Sequence, residues 1–104
     1  MGYCIIKCTT ASKINAIEIS EYLIESKLAA CVNIIPGVIS VYKWEGKIVE
    51  GQEFLMIIKT KDSLFKKVEK AIIERHEYSL PEIVATPITK GNKDYLKWLK
   101  SETM

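Results

Sequence analysis

The chain has 104 residues, of which 48% are hydrophobic and 27% charged, enough apolar material for one compact domain with a single core and too little for two. Its 15 basic and 13 acidic residues give a net charge of +2 and are mixed along the chain with no block of like charges, so neither nucleic acid nor a membrane surface is an expected partner. No stretch approaches the roughly 18 apolar residues of a spanning helix.

From Tyr3 to Cys8 a short, apolar, partly β-branched run predicts a buried first strand, broken by Thr9, Thr10, Ala11 and Ser12. A secretory leader needs a basic start, an apolar run and a small-residue cleavage site, whereas the segment beginning at Met1 meets polar Lys7 and Thr9. A cytoplasmic location is therefore expected, and Ile6 stands where myristoylation requires Ser or Thr. Ser12 is suited to cap an amphipathic helix in which Ala16, Ile17, Ser20, Leu23 and Ile24 recur at helical spacing to about Lys27. Ala30 to Trp44 is rich in Val, Ile and Tyr and predicts a second strand that turns at Glu45-Gly46, with Pro36-Gly37 near its start.

Lys47 to Lys61 returns with Ile48, Val49, Phe54, Leu55, Met56, Ile57 and Ile58, giving hairpin arms well beyond the usual ~5–6 residues. So much exposed edge backbone and apolar surface predicts an oligomer. Asp62 is read as the cap of a second helix carrying Leu64, Phe65, Val68, Ala71, Ile72 and Arg75. Tyr78 to Pro81 interrupts, Glu82 to Ile88 reads as a short strand closed by Pro87, and Gly91-Asn92 opens a last helix with Tyr95, Leu96, Trp98 and Leu99. The order βαββαβ predicts one α+β, ferredoxin-like domain over residues 1–104: an antiparallel sheet with helices on one face, an extended hairpin and a C-terminal helix.

Two segments, AACVNIIPGVISVYKWEGKI from Ala29 to Ile48 and HEYSLPEIVATPI from His76 to Ile88, resemble the CutA divalent-cation-tolerance family. The similarity continues in CTTAS from Cys8 to Ser12, EFLMIIKT from Glu53 to Thr60 and DYLKWL from Asp94 to Leu99, in the same order and covering essentially the whole chain. The resemblance implies a cytoplasmic homotrimer whose hairpins and sheet edges interlock and a role in tolerance of copper and other divalent metals. It also implies an alternative, because the family trimer resembles the PII signalling proteins, which bind small effectors between subunits. Family members often carry Pro after the histidine matching His76, and some a second histidine before it; here Arg75 and Glu77 flank it, which removes a two-histidine copper site from this segment.

Soft thiolate and imidazole donors suit copper and zinc, so the metal candidates are Cys8 and His76, with Cys31 and Glu82 as further donors. The resemblance assigns copper to the positions of Cys8 and His76, in a site shared between subunits. Each has a purely structural reading too: a thiol packed as a small hydrophobe, or an imidazole closing the C-terminal end of the second helix. Cys4 and Cys8 share a strand face but stand roughly 13 Å apart at strand rise, too far to chelate one ion or to bridge.

Glu53, Lys59 and Glu82 are charges in apolar strand contexts, which calls for pairing or a function. Lys59, Glu82, Tyr78 and Trp44 are the candidates for a ligand cleft, while Tyr42, Trp44, Phe54 and Trp98 are candidates for the trimer interface. The third strand lacks the aromatic-glycine signature of RNA-binding domains with this topology, and no nucleophile elbow, phosphate loop or HExxH motif occurs, so no enzymatic activity is expected.

Overall fold

A computed structural model describes residues 2–104; Met1, where the leader reading begins, lies outside the described residues. The elements run β1 (Tyr3–Thr10), α1 (Lys13–Glu25), β2 (Cys31–Trp44), β3 (Lys47–Lys61), α2 (Phe65–Arg75), β4 (Val84–Ile88) and α3 (Lys93–Ser101), with one 3-10 turn at Asp62–Leu64. The sheet order is β2-β3-β1-β4, with every neighbouring pair antiparallel. This is the ferredoxin-like α+β arrangement.

Strand alternation decides which face is covered. Cys4, Ile6 and Cys8 of β1 and Met56 and Ile58 of β3 point to one side, where they pack with Ala16, Ile19 and Leu23 of α1 and Val68, Ala71 and Ile72 of α2. Lys59 and Lys61 alternate to the other side. There Lys59 Nζ lies 5.8 Å from the Tyr95 ring centroid and Lys61 Nζ donates to the Met104 carbonyl oxygen at 3.0 Å, so α3 sits across one end of the far face.

The hairpin arms are 14 and 15 residues long. A two-residue turn joins them, with Glu45 and Gly46 both at positive φ, 50° and 79°, the backbone twist that matches paired strands. At Pro36-Gly37 the register shifts between Ile35 and Val38. Pro36 offers no amide hydrogen and Gly37 sits at φ 74°, so the pair forms a bulge, tolerated because β2 is an edge strand. The extended hairpin makes the molecule 45 Å long against 25 and 22 Å in the other directions.

Several boundaries differ from the sequence reading. Thr9 and Thr10 do not break β1 but continue it, opposite Leu55 and Phe54, as their β-branching favours. In α1 the inward face is Asn15, Ala16, Ile19, Ser20 and Leu23, while Ile17 and Ile24 are exposed; an apolar outer stripe had shifted the apparent phase. Asp62 makes no capping hydrogen bond to α2. Its carboxylate instead lies close enough to the buried Cys4 thiol for its charge to raise it, and its amide donates to the Gly2 carbonyl at 3.0 Å. β4 starts at Val84, leaving Glu82 in the preceding loop.

Candidate functional site

The hairpin rises past the end of β1, and the loop from His76 to Ile83 wraps over that same end. Between them lies a cleft of ≈ 760 Å³ whose walls include Thr9, Tyr42, Trp44, Glu53, Tyr78 and Glu82.

The loop is held by polar contacts from three directions. Ser12, the N-cap of α1, accepts from the Asn15 amide at 3.1 Å. Asn15, itself buried, donates through Nδ2 to the Arg75 carbonyl at 3.0 Å and accepts from the Glu77 amide at 3.3 Å. The His76 amide closes α2 by donating to the Ile72 carbonyl at 2.8 Å, but its ring does not serve the helix's free carbonyls. Tyr78 donates its backbone hydrogen to Nδ1 at 2.9 Å, and Nε2 stands 2.8 Å from the Thr9 carbonyl oxygen. With Nδ1 accepting, the ring hydrogen belongs on Nε2, where it is donated to Thr9. His76 therefore ties the loop to β1.

Cys8 approaches the same oxygen. Its Sγ is 3.8 Å from the Thr9 carbonyl, so the two metal candidates converge on one atom. The thiol is fully buried, and burial, then the charge of Glu82, then that of Glu53 push it up to about 12. Without a cation nearby it stays protonated throughout the physiological range. A positive ion would meet the opposite circumstances, since the carboxylates that penalise the thiolate favour the cation.

Glu53 is only 8% exposed. Its Oε2 accepts the Tyr78 hydroxyl hydrogen at 2.8 Å; burial first, then this bond and the Glu53 charge, raise the Tyr78 phenol well above its ordinary range. The Tyr78 ring also packs against His76, centroids 4.8 Å apart.

The cleft thus brings together Tyr78, Glu82, Trp44 and Tyr42; Cys8 and His76 do not line it and approach it only through the carbonyl of Thr9, which does. Lys59 is not among them: it lies under Tyr95 on the far face. Trp98 belongs to that second cluster, its ring 5.6 Å from that of Tyr95, and Phe54 packs against the chain's own core. Cys31 is part-buried on β2, opposite Lys59. The sequence reading missed Asn15 and the Thr9 carbonyl. A polar residue inside a helix gives no outward signal of a contact sixty residues away, and a backbone acceptor gives none at all. Among the described residues no three His, Cys, Asp or Glu side chains are grouped to hold a metal ion.

These features define a small ferredoxin-like α+β protein with an overlong hairpin and an acidic, aromatic cleft at the end of its first strand. Residues 4–102 match the family described as CutA1 divalent ion tolerance protein, and the chain belongs to that family. A divalent-cation tolerance protein CutA of Thermus thermophilus is 44% identical over 95% of this chain and 96% of its own length. The crystal structure of CutA1 from Oryza sativa superposes with a TM-score of 0.97 at 42% identity, covering all of this chain and 95% of that one. A chloroplastic CutA of Arabidopsis thaliana is 48% identical over 83% of this chain, which spans about half of that relative, 47% of its length.

Proposed function

We propose that the protein is a non-enzymatic homotrimer that binds copper or another divalent cation weakly near its subunit junctions, with Cys8 and His76 as each chain's donors. The observation that carries this reading is the convergence of Cys8 Sγ and His76 Nε2 on the Thr9 carbonyl, beside carboxylates that favour a cation. One sulfur and one imidazole nitrogen fit a two-coordinate soft ion such as Cu(I); a four-coordinate zinc site needs donors beyond these two. Loading would require the thiol to lose its proton and His76 to release Thr9, two costs consistent with weak binding. The three cysteines are free, as a reducing cytoplasm would keep them, and neither nucleic acid nor membrane is proposed as a partner.

Titration with Cu(I) under reducing conditions, followed by native mass spectrometry, reports subunit count and bound metal together. A trimer that takes up copper, and loses it in both Cys8→Ser and His76→Ala, is the expected result. Copper uptake unchanged in those variants, or none in the wild type, would overturn the reading.

A second reading has its own support. A cleft of ≈ 760 Å³ walled by Tyr42, Trp44 and Tyr78 falls in the roughly 300–1,000 Å³ range of organic-ligand sites and far exceeds what a bare ion fills. In that reading the trimer is a PII-like sensor of a small effector.

A further inference from the structure

We propose that this cleft recognises an organic cation, a primary ammonium or guanidinium carried on an apolar or planar body. The inference rests on the effector reading and names the chemistry of its ligand.

Glu53 carries most of the argument. It is nine-tenths buried at the cleft wall, and among the described residues no Lys, Arg or His nitrogen lies within ion-pair distance of it. Burying an ionised carboxylate without a counter-charge is costly. The Tyr78 hydroxyl offsets part of that cost and fixes Oε2, but it supplies no positive charge. Glu82 adds a second carboxylate to the same wall, and both are close enough to Cys8 for their charge to raise its thiol. Among the described residues Lys43 is the one cation lining the cleft; it is exposed on the hairpin arm and pairs with neither.

The rest of the lining narrows the class. Tyr42, Trp44 and Tyr78 present aromatic rings, whose faces attract ammonium and guanidinium groups, Trp most strongly. An anion would meet two carboxylates. A neutral apolar molecule would take water from Glu53 and return no charge. A metal ion would satisfy the carboxylates yet leave the aromatic wall without a function. An organic cation satisfies both halves, the charged end at Glu53 and Glu82 and the body along Trp44 and Tyr42.

The test holds the body constant and varies the charge. Benzylamine, benzyl alcohol and benzoate are titrated into the assembled, full-length protein by calorimetry, with a chelator present so that copper plays no part. Benzylamine should bind at least tenfold more tightly than benzyl alcohol, and benzoate not at all. Glu53→Gln keeps the shape and an acceptor for Tyr78; Glu82→Gln alters an exposed residue and leaves folding intact. Each should weaken benzylamine at least fivefold. Equal binding of the alcohol and the amine would overturn the cation inference while sparing the effector reading. Failure of all three probes, as when a partner's side chain fills the cleft, would overturn both.

Discussion

Asp62 and Cys4 show how one side chain's choice of partner sets a measurable property. The Asp62 carboxylate does not cap the helix it precedes, and its charge reaches the buried Cys4 thiol. Burial first, then the charge of Asp62 and its hydrogen bond, raise that thiol from 9.0 to about 11. The unfolded chain therefore loses this proton before the folded one does. The stabilisation is fully present below pH 9 and falls as pH climbs toward 11. The stability difference between wild type and Cys4→Ala should narrow by about 2 kcal/mol between pH 8 and pH 11. Urea unfolding across that range measures it, and a difference that stays constant would show that burial and the Asp62 charge do not raise this thiol. At this scale the sequence is legible where chemistry is scarce. A single histidine and three cysteines announce themselves, and Cys8 and His76 do meet at one oxygen. Asp62 misleads, because a carboxylate ahead of a helix has two ways to use its oxygens and only the fold brings Cys4 within reach.

Along the elements, α1 ends with an avoidable strain. The Lys27 amide donates to the Ile24 carbonyl at 3.1 Å and the Leu28 amide to the Leu23 carbonyl at 2.9 Å, the paired reverse bonds of a Schellman ending. That ending requires left-handed backbone at Lys27, which has φ 61°. A residue with a Cβ resists that conformation, and glycine does not. Lys27→Gly should stabilise the protein by about 1 kcal/mol, read as a shift in urea midpoint without a change in slope; destabilisation would show that the lysine side chain does more than the backbone argument allows. The Lys27 carbonyl, which accepts the Met104 amide at 2.9 Å, survives the change. Element order and the long hairpin were legible because β-branched runs and the Glu45-Gly46 turn are local signals. The inward face of α1 was not, since Ile17 and Ile24 look like core residues until the burial of Asn15 and Ile19 fixes the rotation. Nor was the cleft, which exists only because a loop following α2 lies against a hairpin more than twenty residues earlier.

The molecule as a whole leaves too much uncovered for a solitary chain. Both sheet edges, β2 and β4, offer unpaired backbone, and the hairpin carries Ile39 and Val41, each 64% exposed, with Ile48 at 78%. Ile39, Val41 and Ile48 share one face, because Lys43 pairs with Ile48 and Val41 with Glu50 and side chains alternate. Apolar surface on an open edge invites another strand. The proposed trimer would cover it, and each of these side chains buried between subunits contributes about 1.5–3 kcal/mol. Repeated in every subunit, that would make dissociation slow and tie folding to assembly. Wild type should therefore remain trimeric on dilution to micromolar concentration. Ile39→Lys combined with Ile48→Lys places a charge at both positions without touching the core and should produce concentration-dependent monomer in sedimentation velocity. A wild type that already dissociates at micromolar concentration would overturn the assembly argument. A double variant as tightly trimeric as wild type would move the interface off this face and onto the sheet edges alone, where backbone pairing between β2 and β4 would have to supply the affinity.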